Sequence, residues 1–150
     1  KLWTPMHAEE SALWSLDRKD GMEKAYCCFN SNARDFARFG QLLLNNGQWD
    51  GQQLISPAYL AEATSPDTRL VYKDLGKPNH CYGFQYWILD YKGMKIPYMR
   101  GILGQYVFTL PEKNAVIVRL GHKRSDTYTA DQHYPDDINT WLDAAMDLLQ

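Results

Sequence analysis

The first strong pattern in the chain is a helical spacing of apolar residues. Between Asn32 and Asn45, apolar side chains recur three and four positions apart, which predicts an amphipathic helix. Asn30 or Ser31 can cap its first turn, and Asn46-Gly47 is a typical C-terminal stop.

Two further helices are predicted from other signals. Ser56-Pro57 favours a short helix through Ala63, because serine caps a first turn and proline fits the first helical position. A last helix is predicted from Tyr134-Pro135-Asp136 onward, with its apolar residues on one stripe. Residues 64–80 show little periodicity and predict a long loop.

Short runs rich in apolar residues and bounded by turn residues predict strands in two regions. Residues 13–29 predict a β-hairpin with its turn at 17–21. A three-stranded antiparallel meander is predicted from residues 82–89, 106–110 and 115–120. Both faces of this sheet carry apolar residues, so each needs a cover. The last helix can cover one face. The helix at 32–45 can supply the other cover, but such a helix normally packs on other helices, so chain upstream of Lys1 is expected to complete the core.

Together these elements predict an α+β fold in one domain of 150 residues. A helical subregion at about 30–64 leads into an antiparallel sheet meander with a C-terminal helix packed on it, at about 81–150. Leu2-Trp3-Thr4-Pro5 is typical of the end of a helix, and Lys1 precedes it in place of Met. We therefore expect Lys1 to be a cut or processing point.

Composition and charge remove several classes of function. The formal net charge of -2 and the lack of a basic run argue against a nucleic-acid partner. No apolar run approaches the ~20 residues of a membrane span. Paired metal-ligand spacings and Gly-rich phosphate loops are also missing from the sequence, so no metal or cofactor is implied.

Three cysteines, Cys27, Cys28 and Cys81, do not settle the compartment. Adjacent cysteines rarely bond each other, and an odd count leaves at least one free thiol. We expect all three to be small buried hydrophobic residues within strands.

The stretch Met99–Gln105 is the strongest local candidate for a functional site. Gly101 and Gly104 stand three residues apart ahead of an apolar strand, which indicates close approach of the backbone to another group. That group can be a substrate, or the glycines can merely accommodate a bulge or a packed helix.

Several runs resemble the serine β-lactamase-like hydrolases, a superfamily of class C β-lactamases, penicillin-binding DD-peptidases, esterases and nylon-oligomer hydrolases. The most specific run is Asn30–Gly47 with its Ala-Arg-Asp, followed by Trp49-Asp50-Gly51 and Leu54-Ile55-Ser56. Tyr82–Trp87 resembles the family's Tyr-Gly-x-x-Trp strand, and Gly101–Tyr106 resembles its third-motif strand. The resemblance implies a partial β-lactamase/transpeptidase-like fold. It also implies a periplasmic or otherwise extracytoplasmic bacterial protein.

The resemblance also assigns roles within the stretch. The Ile102 N–H would be an oxyanion donor, with Gly101 permitting the close approach, and Met99, Arg100 and Gly104 would bind substrate. Met99-Arg100-Gly101 stands where the family has Lys-Thr-Gly, which is closer to the esterase and amide-hydrolase branches. Arg100 can still pair with a substrate carboxylate. Arg34 and Asp35, in contrast, favour capping and ion pairing over catalysis.

Two other family motifs, Ser-x-x-Lys and Tyr-x-Asn, do not occur among the 150 residues. The chain thus resembles the C-terminal part of a serine hydrolase that cleaves a small amide or ester through an acyl-serine intermediate. This part supplies the oxyanion-hole strand and a wall of the substrate cleft but not the nucleophile. The alternative is a catalytically inactive β-lactamase-fold module for binding or structure, which Met99 and Arg100 at the third motif favour.

Overall fold

A computed structural model describes residues 1–73 and 76–149, and this part of the chain combines three α-helices with antiparallel sheets. The helices are α1 (Ala33–Leu44), α2 (Pro57–Ala63) and α3 (Asp137–Leu148). Short ladders pair β1 (Leu13–Trp14) with β2 (Phe29–Asn30), β3 (Gln48–Trp49) with β4 (Gln52–Gln53), and β5 (Val71–Tyr72) with β6 (Lys77–Pro78). The main sheet contains β7 (Trp87–Tyr91), β8 (Met94–Arg100), β9 (Tyr106–Leu110) and β10 (Ala115–Arg119). The predicted α+β class is confirmed at this level.

The main sheet is an antiparallel meander of four strands in the order β10-β9-β8-β7. The prediction of three strands missed β8, whose Pro97 argues against an interior strand. Pro97 pairs with Ile88 of β7, but on its other side β9 pairs only with residues 98–100 of β8. The proline is tolerated because no strand pairs with it on the β9 side. Lys92 and Gly93 connect β7 to β8 with φ values of 52° and 88°, the left-handed pair that a tight hairpin turn requires.

The strand predicted at 82–89 begins only at Trp87 and continues to Tyr91. The residues before it form a turn, in which the Gly83 amide donates to the Tyr86 carbonyl at 2.8 Å. The Phe84 amide donates to the Ala63 carbonyl at 2.9 Å, which anchors the turn to the end of α2. Part of the loop predicted at 64–80 forms β5 and β6, and residues 74 and 75 lie outside the described residues.

One face of the main sheet packs on α3, as the sequence predicts. Ile138 and Leu142 of α3 are completely buried. They join one apolar core with side chains from three strands and from Tyr134, namely Leu89, Tyr91, Ile96, Tyr98, Tyr106, Phe108 and Leu110. Burial of this aromatic-rich cluster is the main apolar contribution to the fold.

The opposite face is covered by α1, which lies against β9 and β10. The contact is close because Gly40 of α1 faces Val116: a Cβ at residue 40 would lie 2.5 Å from Val116 Cγ1. Of the covers that the sequence left open for this face, α1 itself is the one that lies on β9 and β10, rather than packing on other helices.

The N-terminus of α1 is fixed by a buried carboxylate. Asn32, not Asn30 or Ser31, caps the helix, and its side chain accepts from the Asp35 amide at 2.9 Å. The Asp35 carboxylate is fully buried and accepts from the amides of Glu9 (2.7 Å) and Glu10 (3.1 Å), from Asn32 Nδ2 (2.9 Å) and from Arg38 Nε (3.2 Å). Burial alone would raise the pKa of this carboxyl, but the hydrogen bonds outweigh it, so the pKa lies below its usual value.

The cysteines depart from the sequence expectation. Cys27 and Cys28 are joined by a disulfide bond in the hairpin before β2, although neighbours in sequence were expected not to bond. Cys28 is exposed and Cys27 is partly exposed, so neither is a buried hydrophobic residue within a strand. Only Cys81 fits that expectation of burial, and burial raises the pKa of its thiol.

Candidate functional site

The stretch Met99–Gln105 connects two strands rather than heading one. Met99 and Arg100 are the last residues of β8, and Ile102–Gly104 form a short 3-10 turn before β9. The Gly101 amide donates to the Gln105 carbonyl at 2.8 Å, which closes the ladder between the two strands. The turn therefore protrudes from the end of a regular hairpin.

Ile102 lies at the first position of this protruding turn. Its side chain is 80% exposed, and its carbonyl accepts from the Gln105 amide at 3.3 Å. Within residues 1–73 and 76–149, the Ile102 N–H has no hydrogen-bond partner. Leu103 follows at a φ of 57°, a backbone conformation that is uncommon for a bulky residue and occurs often near functional sites. The geometry leaves the Ile102 amide available to an oxyanion, and its role as a donor stays a prediction.

Arg100 lies in a half-buried aromatic cluster, which we call the Arg100 cluster. The guanidinium carbon lies 3.4 Å from the centre of the Trp87 ring and 5.9 Å from that of Tyr128. Nη1 donates to the His133 carbonyl at 2.9 Å. Further ring contacts complete the cluster: Tyr82 with Trp87, Tyr72 with Trp87 and His133, and Tyr128 with His133.

Met99 and Arg100 point to opposite faces of the sheet, because successive side chains of a strand alternate. Arg100 pairs in register with Tyr106, on the α3 face, and Met99 pairs with Val107, on the α1 face. The two residues predicted to bind substrate together therefore do not line one wall. Of these two residues, Arg100 is the one that carries a charged group.

Gly104 is buried, and the space beside its Cα is occupied by the Arg119 side chain. Arg119 Nη1 donates to the Gly104 carbonyl at 2.6 Å, and Nη2 donates to the Lys123 carbonyl at 2.8 Å. At a φ of 84°, a Cβ on residue 104 would lie 1.8 Å from Arg119 Nη1. This packing accounts for the glycine without a ligand, so the geometry does not support its predicted contact with substrate.

The turn is held rigidly by the strands below it. The Gln105 side chain accepts from the Gly121 amide at 3.1 Å and donates to the Gly121 carbonyl. The Arg119 guanidinium stacks between Trp141 and Tyr106, at 4.6 Å and 5.6 Å from their ring centres. Burial, followed by the nearby Asp137 carboxylate, raises the pKa of Tyr106 to about 12. A fixed turn of this kind suits a site that must hold donors in place before a reaction.

The described residues also bear on metal binding and on membrane insertion. No group of three or more His, Cys, Asp or Glu side chains in residues 1–73 and 76–149 is placed to hold a metal ion. Among the helices described, none has the length and apolar character to cross a bilayer.

Comparison with known proteins points to one kind of hydrolase. No protein-family profile matches the chain. It is 27% identical over 123 residues to the 6-aminohexanoate-dimer hydrolase of Paenarthrobacter ureafaciens, which covers 79% of this chain and 31% of that protein. The fold is similar, with a TM-score of 0.69 and 27% identity, to the solved structure of a Bacillus anthracis protein assigned as a 6-aminohexanoate-dimer hydrolase, covering 94% of this chain and 34% of that one.

The chain thus spans about a third of the length of these two relatives. The resemblance found in the Ala-Arg-Asp run is confirmed as a resemblance to hydrolases of this kind, and the partial coverage fits the expected portion of a longer hydrolase. The Arg100 cluster was not predicted, because its members come from four separate stretches and no spacing in the sequence connects them.

Proposed function

We propose that this chain is part of a serine hydrolase that cleaves a small amide or ester through an acyl-serine intermediate. In this proposal the segment 99–105 supplies the oxyanion-hole strand and one wall of the substrate cleft. The nucleophile and its lysine come from chain outside these 150 residues. The relatives named for an amide substrate, 6-aminohexanoate dimer, support an amide over an ester.

The observation that carries the proposal is the position of the Ile102 amide. It follows the last ladder hydrogen bond of β8 and β9 and has no partner among the residues described. The tetrahedral intermediate of acyl transfer carries a negative oxygen, which fixed N–H donors stabilise. An amide held at the end of a rigid hairpin meets that need without reorganisation.

Arg100 supports a substrate that carries a carboxylate. Nη1 donates to the His133 carbonyl and the guanidinium also hydrogen-bonds the Tyr98 hydroxyl, which leaves the remaining N–H groups of its five donors for an anion. Stacking on Trp87 fixes the plane of the group, which favours a bidentate pair with a carboxylate. A linear amide with one free carboxylate is therefore the substrate class that fits best.

The decisive experiment replaces Ile102 in the full-length protein that contains this chain. Ile102→Pro removes the N–H, while proline fits the first position of a 3-10 turn and the extended Gly101 (φ -101°, ψ 176°) tolerates a following proline. Loss of one oxyanion donor should lower kcat for 6-aminohexanoate dimer by about 10²–10³-fold. Ile102→Ala is the matched control, because it shortens the side chain and keeps the N–H.

Equal activity of the two Ile102 variants would contradict the donor role. A fluorophosphonate probe tests the nucleophile separately, since it labels an activated serine covalently. A full-length protein that neither binds this probe nor cleaves the dimer would contradict the acyl-serine proposal as a whole.

The second candidate is an inactive β-lactamase-fold module. Arg100 favours it, because an arginine packed on Trp87 stands at the position of the family's threonine, so the site keeps a group that binds a carboxylate but lacks the hydroxyl. In that case the full-length sequence would lack Ser-x-x-Lys or Tyr-x-Asn, and a carboxylate ligand would bind without turnover.

We also propose an extracytoplasmic location. The Cys27–Cys28 disulfide supports it, since disulfides persist mainly in oxidising compartments. Fractionation of the producing cells, followed by immunoblotting, tests the proposal, and recovery in the cytoplasmic fraction would contradict it.

A further inference from the structure

We propose that the Cys27–Cys28 disulfide is a site of reversible thiol–disulfide exchange with dithiol reductants and that its reduction loosens the hairpin at residues 13–30. The proposal is independent of the hydrolase mechanism. The step is balanced: a dithiol gives two electrons and two protons to the cysteines and leaves as a cyclic disulfide. A thiolate of the reductant attacks the sulfur of one cysteine, and the sulfur of the other cysteine leaves as a thiolate. The second thiol of the reductant then attacks the mixed disulfide and releases the first cysteine.

The bond is accessible to an attacking thiolate. Cys28 is exposed and Cys27 is partly exposed. The third cysteine provides a contrast within the same chain, because Cys81 is 1% exposed and burial raises the pKa of its thiol. Exchange chemistry should therefore take place at the pair and not at Cys81.

The bond also fixes the backbone. A disulfide between neighbours closes a ring around the peptide bond that joins them, and Cys28 within this ring has a φ of 72°. Residues other than glycine rarely adopt this left-handed conformation. Opening of the ring therefore leaves Cys28 free to return to a backbone conformation with negative φ.

The carbonyl groups of both cysteines accept hydrogen bonds from the opposite strand of the hairpin. The Trp14 indole Nε1 donates to the Cys27 carbonyl at 3.2 Å. The Cys28 carbonyl accepts from the Ser15 amide at 3.0 Å and from Asn30 Nδ2 at 3.1 Å. A change of backbone at residues 27 and 28 therefore reaches β1 directly.

The effect extends to the aromatic residues that join the hairpin to α1. Phe29, the residue after the ring, contacts Trp14 at 5.4 Å and Trp3 at 5.1 Å between ring centres. It also contacts Phe36 and Phe39 of α1, at 6.2 Å and 6.3 Å. Tryptophan emission therefore reports on reduction of the pair.

The test uses the full chain purified without reductant. Alkylation with iodoacetamide in denaturant should modify one cysteine, Cys81, and leave a peptide containing residues 27 and 28 at the mass of the disulfide. Treatment of the native chain with dithiothreitol before alkylation should modify Cys27 and Cys28 and leave Cys81 unmodified. Three modified cysteines in the unreduced protein would overturn the proposal, as would a pair that dithiothreitol fails to reduce in the native chain.

Coupling to the hairpin is measured on the same samples. Reduction should speed hydrogen exchange of two amides by about tenfold or more, because their hydrogen bonds depend on the fixed ring: that of Ser15, and that of Cys27, which donates to the Lys24 carbonyl at 3.1 Å. It should also change tryptophan emission, and Trp14→Phe should remove most of that change. Unchanged exchange rates and emission after reduction would overturn the conformational part of the proposal.

The double variant Cys27→Ser, Cys28→Ser is the control for direct effects of the reductant. It should exchange like the reduced wild type and show no response to dithiothreitol. Cys81→Ser should respond like the wild type. A response that persists in the double variant would place the redox effect elsewhere and overturn the assignment.

Discussion

Replacing the buried carboxylate of Asp35 with an amide should destabilise the chain by about 3 kcal/mol. Oδ1 accepts from the Glu9 amide and Arg38 Nε, and Oδ2 accepts from the Glu10 amide and Asn32 Nδ2. Asparagine keeps one oxygen and places an NH2 group at the other position. Whichever way the amide turns, two of the four groups that donate to Asp35 then face the NH2 group of the asparagine instead of an oxygen.

The magnitude follows from these two lost interactions. A hydrogen bond to a charged group contributes about 1.5–3 kcal/mol, so two give about 3–6 kcal/mol. The lower end applies here because Arg38 keeps contacts with the Met6 carbonyl at 3.1 Å and with Glu9 at 3.2 Å. Against a typical stability of about 5–15 kcal/mol, this loss is large but leaves a folded protein to measure.

Urea unfolding at pH 7, followed by tryptophan fluorescence, measures the change. Asp35→Asn should lower the midpoint and leave the slope unchanged. Arg34→Ala is the matched control from the same turn: Arg34 lies 3.7 Å from Glu9, but its side chain is 83% exposed. Exposed pairs contribute little, so this variant should stay within about 0.5 kcal/mol of the wild type.

The same comparison at low pH tests the electrostatic part of the reasoning. Because the pKa of Asp35 is lowered in the folded state, its contribution is complete above the unfolded value of about 3.9 and is lost as pH falls through the folded value. The gap between wild type and Asp35→Asn should therefore narrow below about pH 4. A gap under about 0.5 kcal/mol at pH 7, or one that does not change down to pH 2, would refute the reasoning.

Two glycines, Gly104 and Gly40, give further predictions, each with its own control. Gly104→Ala should lower the free energy of unfolding, measured in urea, by about 2–3 kcal/mol. The alanine would have to adopt a left-handed backbone conformation and would also displace Arg119. Gly51→Ala isolates the first effect, because Gly51 has a φ of 76° and open space around it; equal losses in the two variants would contradict the packing argument. Gly40→Ala should cost about 1–3 kcal/mol by overpacking against Val116, although alanine is the better helix former. The second change Val116→Ala should recover part of that loss, and a stabilising Gly40→Ala would show that α1 does not press on the sheet.

Elements whose signals are local were predicted well. The short helix after Ser56-Pro57 begins where the cap places it, and α2 runs from Pro57 to Ala63. The amphipathic helix α1 lies within one residue of its expected bounds. Its cap was assigned too early, at Asn30 or Ser31, because several adjacent residues can cap a helix and only the backbone decides that Asn32 does.

Features that depend on strand pairing or on an unusual backbone conformation were predicted less well. Pro97 hid β8, because a proline is compatible with an interior strand only if its neighbour leaves that position unpaired. The disulfide between Cys27 and Cys28 was not expected, since it requires a backbone conformation that composition does not reveal.

At the candidate site, the sequence by itself determined that Met99–Gln105 is a glycine-marked stretch ahead of a strand and that it resembles part of a hydrolase. Tertiary structure decided what each residue of that turn can do. Strand register placed Met99 and Arg100 on opposite faces, and packing filled the space at Gly104 with Arg119. The physical reason is one of range: caps, turns and periodicity act over a few residues, whereas a side chain's surroundings depend on which distant segments the register and packing bring beside it.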